Sequence, residues 1–82
     1  MSKFEKALLR LRQNPKHVRY EEIEFILLHL GFEKRQVSTN HAIFRIKNQM
    51  PISIPKRKPF IKPTYVKIVL HRLEKMGFFD DE

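Results

Sequence analysis

The spacing of apolar residues changes period twice along the chain, and this limits the fold more than any other feature. Apolar side chains recur at helical intervals within residues 3–13 and 20–30, alternate along 41–47 and 50–54, and return to helical intervals at 63–76. Residues 3–13 place Phe4, Ala7, Leu8 and Leu11 on one side of a helix, with Lys6, Arg10 and Arg12 on the other. Asn14-Pro15 ends it. A second helix is expected over 20–30, striped by Ile23, Ile26, Leu27 and Leu30. Glu21, Glu22 and Glu24 lie near its start, where the helix dipole favours negative charge, and Gly31 is placed to end it.

Three short strands are expected next, at about 32–37, 41–47 and 50–54. In the second, Ala42, Phe44 and Ile46 point one way, while His41, Ile43, Arg45 and Lys47 point the other. The first set suits a core, the second a face open to water or a ligand. The third strand alternates Met50, Ile52 and Ile54 with Pro51 and Ser53. Pro51 cannot donate to a ladder, which favours an edge or a strand start. Residues 55–63, PKRKPFIKP, form a proline-punctuated basic loop. Pro63 suits the first turn of a last helix over 63–76, striped by Val66, Val69, Leu70, Leu73 and Met76 and ended by Gly77.

These elements give an α+β domain, a small three-stranded antiparallel sheet covered on one face by helices. From residue 20 onward the order is α-β-β-β-α, that of double-stranded-RNA-binding-domain-like folds, with an extra N-terminal helix. The expected division is a helical extension at 1–18, a core at 19–78 and an acidic tail at 79–82. In an 82-residue chain without cysteine, packing must hold the fold without disulfides or thiolate metal sites. No apolar run approaches membrane-spanning length, and MSKFEKALLRLRQ lacks the apolar core of a signal peptide. The chain reads as a soluble cytoplasmic protein with no membrane partner.

The net charge of +8 is concentrated. From Lys34 to Leu73 there are ten Lys and Arg residues and no Asp or Glu. Such a surface attracts polyanions, because neutralised phosphates release counterions. An acidic protein partner is compatible with the same charge.

His41 begins the second strand on the face that carries Arg45 and Lys47. That combination suits RNA cleavage. A neutral imidazole can take the proton of a 2′-hydroxyl near pH 7 as that oxygen attacks the adjacent phosphorus. Nearby cations stabilise the charge that gathers on the phosphorane. No metal or other cofactor is required, because the nucleophile is already part of the substrate. Arg45 and Lys47 would hold phosphate next to His41, while Lys34, Arg35, Lys56, Arg57, Lys58 and Lys62 would extend the track. The plain alternative is that His41 merely opens a strand at the surface. No HExxH, glycine-rich phosphate loop or catalytic-triad pattern occurs. Ser38, Thr39 and Ser53 have no evident activating partner.

Several residue groups together resemble the HicA family of toxin–antitoxin mRNA interferases, along roughly residues 20–77. They are LGF (Leu30–Phe32), HAIF (His41–Phe44), ISIP (Ile52–Pro55), the basic loop, and IKPTYVKIVL (Ile61–Leu70). The family motif is Gly-Ser-His-x-x-Phe, with which Thr39, Asn40, His41 and Phe44 align; His41 and Phe44 match it. The resemblance implies a metal-independent endoribonuclease acting on mRNA, with His41 as the catalytic residue. It also implies a double-stranded-RNA-binding-domain-like fold and neutralisation by a HicB-like antitoxin. The free chain is expected to be a monomer or weak dimer. Thr39 and Asn40 stand where the family has glycine and serine. A glycine there could adopt positive φ, which a β-branched threonine does only at a cost. Asn40 tolerates left-handed geometry and can hydrogen-bond phosphate, so the turn is expected to shift by one residue. Two other functions fit the same charge: a non-catalytic basic RNA-binding module, and a surface that meets only an acidic protein.

Overall fold

The computed structural model describes residues 2–78, so the acidic tail expected at 79–82 lies outside the described residues. Helix α1 spans Lys3–Gln13, α2 Tyr20–His29, and α3 Pro63–Lys75. Strands β1, β2 and β3 span Glu33–Ser38, His41–Arg45 and Ile52–Pro55. They form one antiparallel sheet in the order β1-β2-β3. The α+β class and the α-β-β-β-α order from α2 onward are as expected, with α1 added in front. Among the described residues, no helix is long and apolar enough to cross a membrane.

Several helix boundaries have a local cause. Ser2 and Glu5 form a capping box at the start of α1, with Ser2 Oγ accepting from the Glu5 amide at 3.1 Å and Glu5 Oε1 accepting from the Ser2 amide at 3.1 Å. Helix α2 stops at Gly31, whose φ of 101° few side chains tolerate. There the Phe32 amide reaches back to the Leu27 carbonyl at 3.0 Å. Gly77, with φ 89°, ends α3 the same way, the Phe78 amide donating to the Leu73 carbonyl at 3.1 Å. An alanine at Gly31 would meet no neighbouring atom, so its cost is conformational alone. Gly31→Ala should therefore destabilise the fold by roughly 1–2 kcal/mol in urea denaturation.

Helices α1 and α2 run antiparallel. Arg10 pairs with Glu22 at 3.1 Å near one end, and Phe4 stacks on His29 with centroids 4.3 Å apart near the other. The core is built from one face of each helix and of β2 and β3. Leu8 and Leu11 come from α1, Ile23, Ile26 and Leu27 from α2, and Val66, Val69 and Leu73 from α3. Ala42 and Phe44 of β2 and Ile52 and Ile54 of β3 complete it. The extension at 1–18 thus contributes side chains to the common core. Val18 and Ile61, both buried, tie the linkers together through an Ile61 amide to Val18 carbonyl bond of 2.9 Å.

The strands depart from expectation at the β2–β3 connection. Strand β2 ends at Arg45, not Lys47, because Asn48 takes a φ of 66° and turns the chain. Strand β3 starts at Ile52, and Met50, expected on its inner face, is 75% exposed. Pro51 has no amide to extend the ladder past Ile52. At the β1–β2 turn, neither Thr39 nor Asn40 adopts positive φ. The expected shift of a left-handed residue to Asn40 does not occur. Instead the register slips between Gln36 and Ser38, as in a β-bulge. The bulge supplies local twist that an unprimed two-residue turn lacks.

Candidate nucleic-acid interface

The sheet buries one face and leaves the other open. Along β2 the inward residues Ala42 and Phe44 are fully buried, Ile43 is half-buried, and His41 and Arg45 are exposed. Register builds the open face in three rows. His41 lies between Ser38 and Pro55, Ile43 between Arg35 and Ser53, and Arg45 opposite Glu33. The His41 imidazole makes no hydrogen bond, ion pair or ring contact with the described residues. Both ring nitrogens are therefore available to a ligand.

The nearest cation on this face is Arg35, a diagonal neighbour of His41 at about 7–8 Å between backbones. Arg45 is four residues along the strand, about 13 Å away at the usual strand rise. Arg45 and Lys47, expected to hold phosphate beside His41, lie toward the opposite end of the face, with Lys47 in the turn beyond β2. Arg35 occupies the nearer place.

Lys34 points the other way. It shares the inward row with Phe44 and Ile52, and its ammonium pairs with Glu24 of α2. The Glu24 hydrogen bond, and then its charge, hold the Lys34 pKa above the ordinary lysine value. Lys56 also turns from the open face. Its Nζ donates to Gln36 Oε1 at 2.8 Å and lies 5.5 Å from the Tyr20 ring centroid. Its backbone amide, however, bonds the Asn40 carbonyl at 2.6 Å and fixes the basic loop against the β1–β2 turn. Arg57, Lys58 and Lys62 are exposed in that loop, which begins directly after Pro55, the cross-strand neighbour of His41. Lys58 and Asn40 line a cleft of about 500 Å³ with Tyr20, Glu24 and Lys56.

Three contributors escape a reading by composition. Ser38 Oγ accepts from the Asn40 amide at 3.3 Å and shapes the turn before His41. The Ser-Thr-Asn run signals such local bonding. Gln36 anchors Lys56, as noted, but nothing in the sequence marks it for that. Tyr20 is buried at the start of α2 with a hydroxyl that has no hydrogen-bond partner, and burial raises its pKa above the usual phenol value. Among the described residues, no three His, Asp or Glu side chains gather where a metal ion could be held.

Chemically, the face offers an open base, an arginine one diagonal step away, and a cationic loop starting at the next strand. In comparison with known proteins, no family model, no curated protein and no solved structure matches the chain.

Proposed function

We propose that the chain is the toxin of a toxin–antitoxin pair, a metal-independent RNA endonuclease acting on mRNA, with His41 as its general base. The observation that carries this reading is the exposed, unpartnered imidazole on an open sheet face, beside Arg35 and opposite Pro55, where the loop that carries Arg57 and Lys58 begins. The resemblance to HicA interferases supports it through the same histidine. His41 takes the proton from a 2′-hydroxyl, and that oxygen attacks the adjacent phosphorus. The P–O5′ bond breaks, leaving a 2′,3′-cyclic phosphate on one fragment and, after protonation, a 5′-hydroxyl on the other. Arg35 offsets the charge on the phosphorane, while Asn40 in the turn and the Arg57, Lys58 and Lys62 loop hold flanking phosphates. Arg45 meets a phosphate farther along the strand. The partner that silences the toxin is an acidic HicB-like antitoxin, and the site of action is the cytoplasm.

Arg35 and Lys34 provide a paired test, since they are adjacent in sequence but face opposite sides. Arg35→Ala should weaken RNA binding and lower the salt slope of log K by about 0.7, the value for one single-strand phosphate contact. Lys34→Ala should leave the slope unchanged, because its ammonium is engaged by Glu24. Fluorescence anisotropy over a salt series measures both. Equal losses for the two variants would place the RNA elsewhere.

A second reading, a basic RNA-binding module without catalysis, draws on one observation. The two cations expected beside His41, Arg45 and Lys47, lie toward the far end of the face. Strong, salt-dependent binding with no cleavage of long mRNA would favour it.

A further inference from the structure

We infer that the hollow at the opposite end of the open face from His41 is a base-reading subsite for single-stranded RNA. This rests on the RNA reading proposed above. The hollow has a volume of about 610 Å³ and is lined by Glu33, Arg45, Ile46, Lys47, Asn48, Gln49 and Pro51. That is within the usual size of small-ligand pockets.

Its chemistry suits a nucleobase better than a phosphate. A phosphate needs donors alone, and the Glu33 carboxylate would repel it. A base edge presents donors and acceptors together, and Glu33, Asn48 and Gln49 supply both kinds. The amides of Asn and Gln can pair with a base through two bonds at once, and a carboxylate accepts from an exocyclic amine. Ile46 and Pro51 give apolar surface for the flat face of the ring. The side chains of Asn48 and Gln49 make no hydrogen bond with the described residues, so their groups are open.

The loop that carries them is already shaped. Arg72 Nη1 donates to the Met50 carbonyl at 2.6 Å, and the Gln49 amide closes a turn onto the Ile46 carbonyl at 3.3 Å. Asn48 holds a φ of 66°, which asparagine accepts more readily than most residues. Arg45 and Lys47 at the rim would guide the backbone past the hollow. The separation of about 13 Å along β2 means that the base held here is not the one whose 2′-hydroxyl reacts. Its role is to select where on a strand His41 acts.

The test compares wild type with Gln49→Ala and Asn48→Gly, the glycine retaining the positive φ while removing the amide. Binding to oligo-A, oligo-C and oligo-U is measured by fluorescence anisotropy over a salt series, with thermal melts to confirm folding and a cleavage assay alongside. Wild type should separate the best from the worst oligomer by about tenfold or more. The variants should bring that ratio to within about twofold, with unchanged salt slopes. Retained preference in both variants overturns the inference, as does a wild type without preference. Equal weakening on all three oligomers with a smaller salt slope also overturns it, making the hollow a phosphate contact. A wild type that binds with preference yet cuts no RNA, with variants that lose that preference, removes the nuclease reading and leaves this subsite standing. A wild type that cuts, with variants that keep its preference, does the reverse.

Discussion

Replacing His41 with alanine should lower RNA cleavage by at least about 10²-fold, and up to about 10⁴-fold, while leaving the fold intact. In barrier terms that is about 2.7–5.5 kcal/mol, all of it in the reaction step. The structure explains why fold and activity should separate. His41 is exposed, opens β2, and makes no hydrogen bond, ion pair or ring contact with the described residues that alanine would remove. The cations that bind phosphate are on other residues, so affinity for RNA should fall by no more than a few-fold. The measurement is single-turnover cleavage of a long mRNA by purified wild type and variant, with anisotropy and a thermal melt on both. Expression in cells gives the same comparison as growth arrest by wild type and growth with the variant. Undiminished cleavage by His41→Ala would remove the imidazole from the mechanism. A wild type that binds RNA tightly but never cuts it would transfer the same surface to the binding-module reading.

The exposure of this imidazole was legible from alternation alone. Once Ala42 and Phe44 are assigned to the core, parity sends His41 and Arg45 outward. Helix boundaries were equally legible, because Gly31, Gly77 and Pro63 act on the backbone within a residue or two of themselves. What alternation cannot give is which strand residues stand side by side. Lys34 and Arg35 are consecutive and equally basic, yet register places Arg35 diagonally across from His41 and turns Lys34 toward Glu24. Spacing along β2 was likewise readable but easy to undervalue. Four residues of strand separate His41 from Arg45, too far to share one phosphate contact closely. The β2–β3 connection misled for a different reason. Met50 continues the alternation of Ile52 and Ile54, and only the positive φ at Asn48 and the missing amide at Pro51 break the strand there. Val18 and Ile61 joined the core from linkers, where no periodic pattern exists to announce them.

The largest effect on stability is expected at Phe44. It is fully buried at the centre of the sheet, in the row with Lys34 and Ile52, with its ring centroid 6.4 Å from that of Tyr20. Its inward face meets the apolar sides of the helices. Truncation to alanine removes aromatic burial and leaves a cavity that rigid neighbours fill only in part, at a cost of about 3–5 kcal/mol. Domains of this size hold a total of about 4–12 kcal/mol at the usual value per residue. Phe44→Ala should therefore remove a large share of the stability and lower the melting temperature by on the order of 20 °C. Phe44→Leu leaves a smaller void and should cost less. Urea denaturation of the three proteins checks the order, and an unchanged midpoint for Phe44→Ala would contradict the packing of the sheet on its helices. The two substitutions on β2 then act in opposite senses. Losing His41 should slow chemistry by about 10²- to 10⁴-fold in a protein that melts normally, whereas losing Phe44 should lower it only in proportion to the fraction unfolded. Cooling the Phe44→Ala protein below its transition, or adding a binding partner that favours the native state, should restore cleavage. Neither treatment should restore it to His41→Ala.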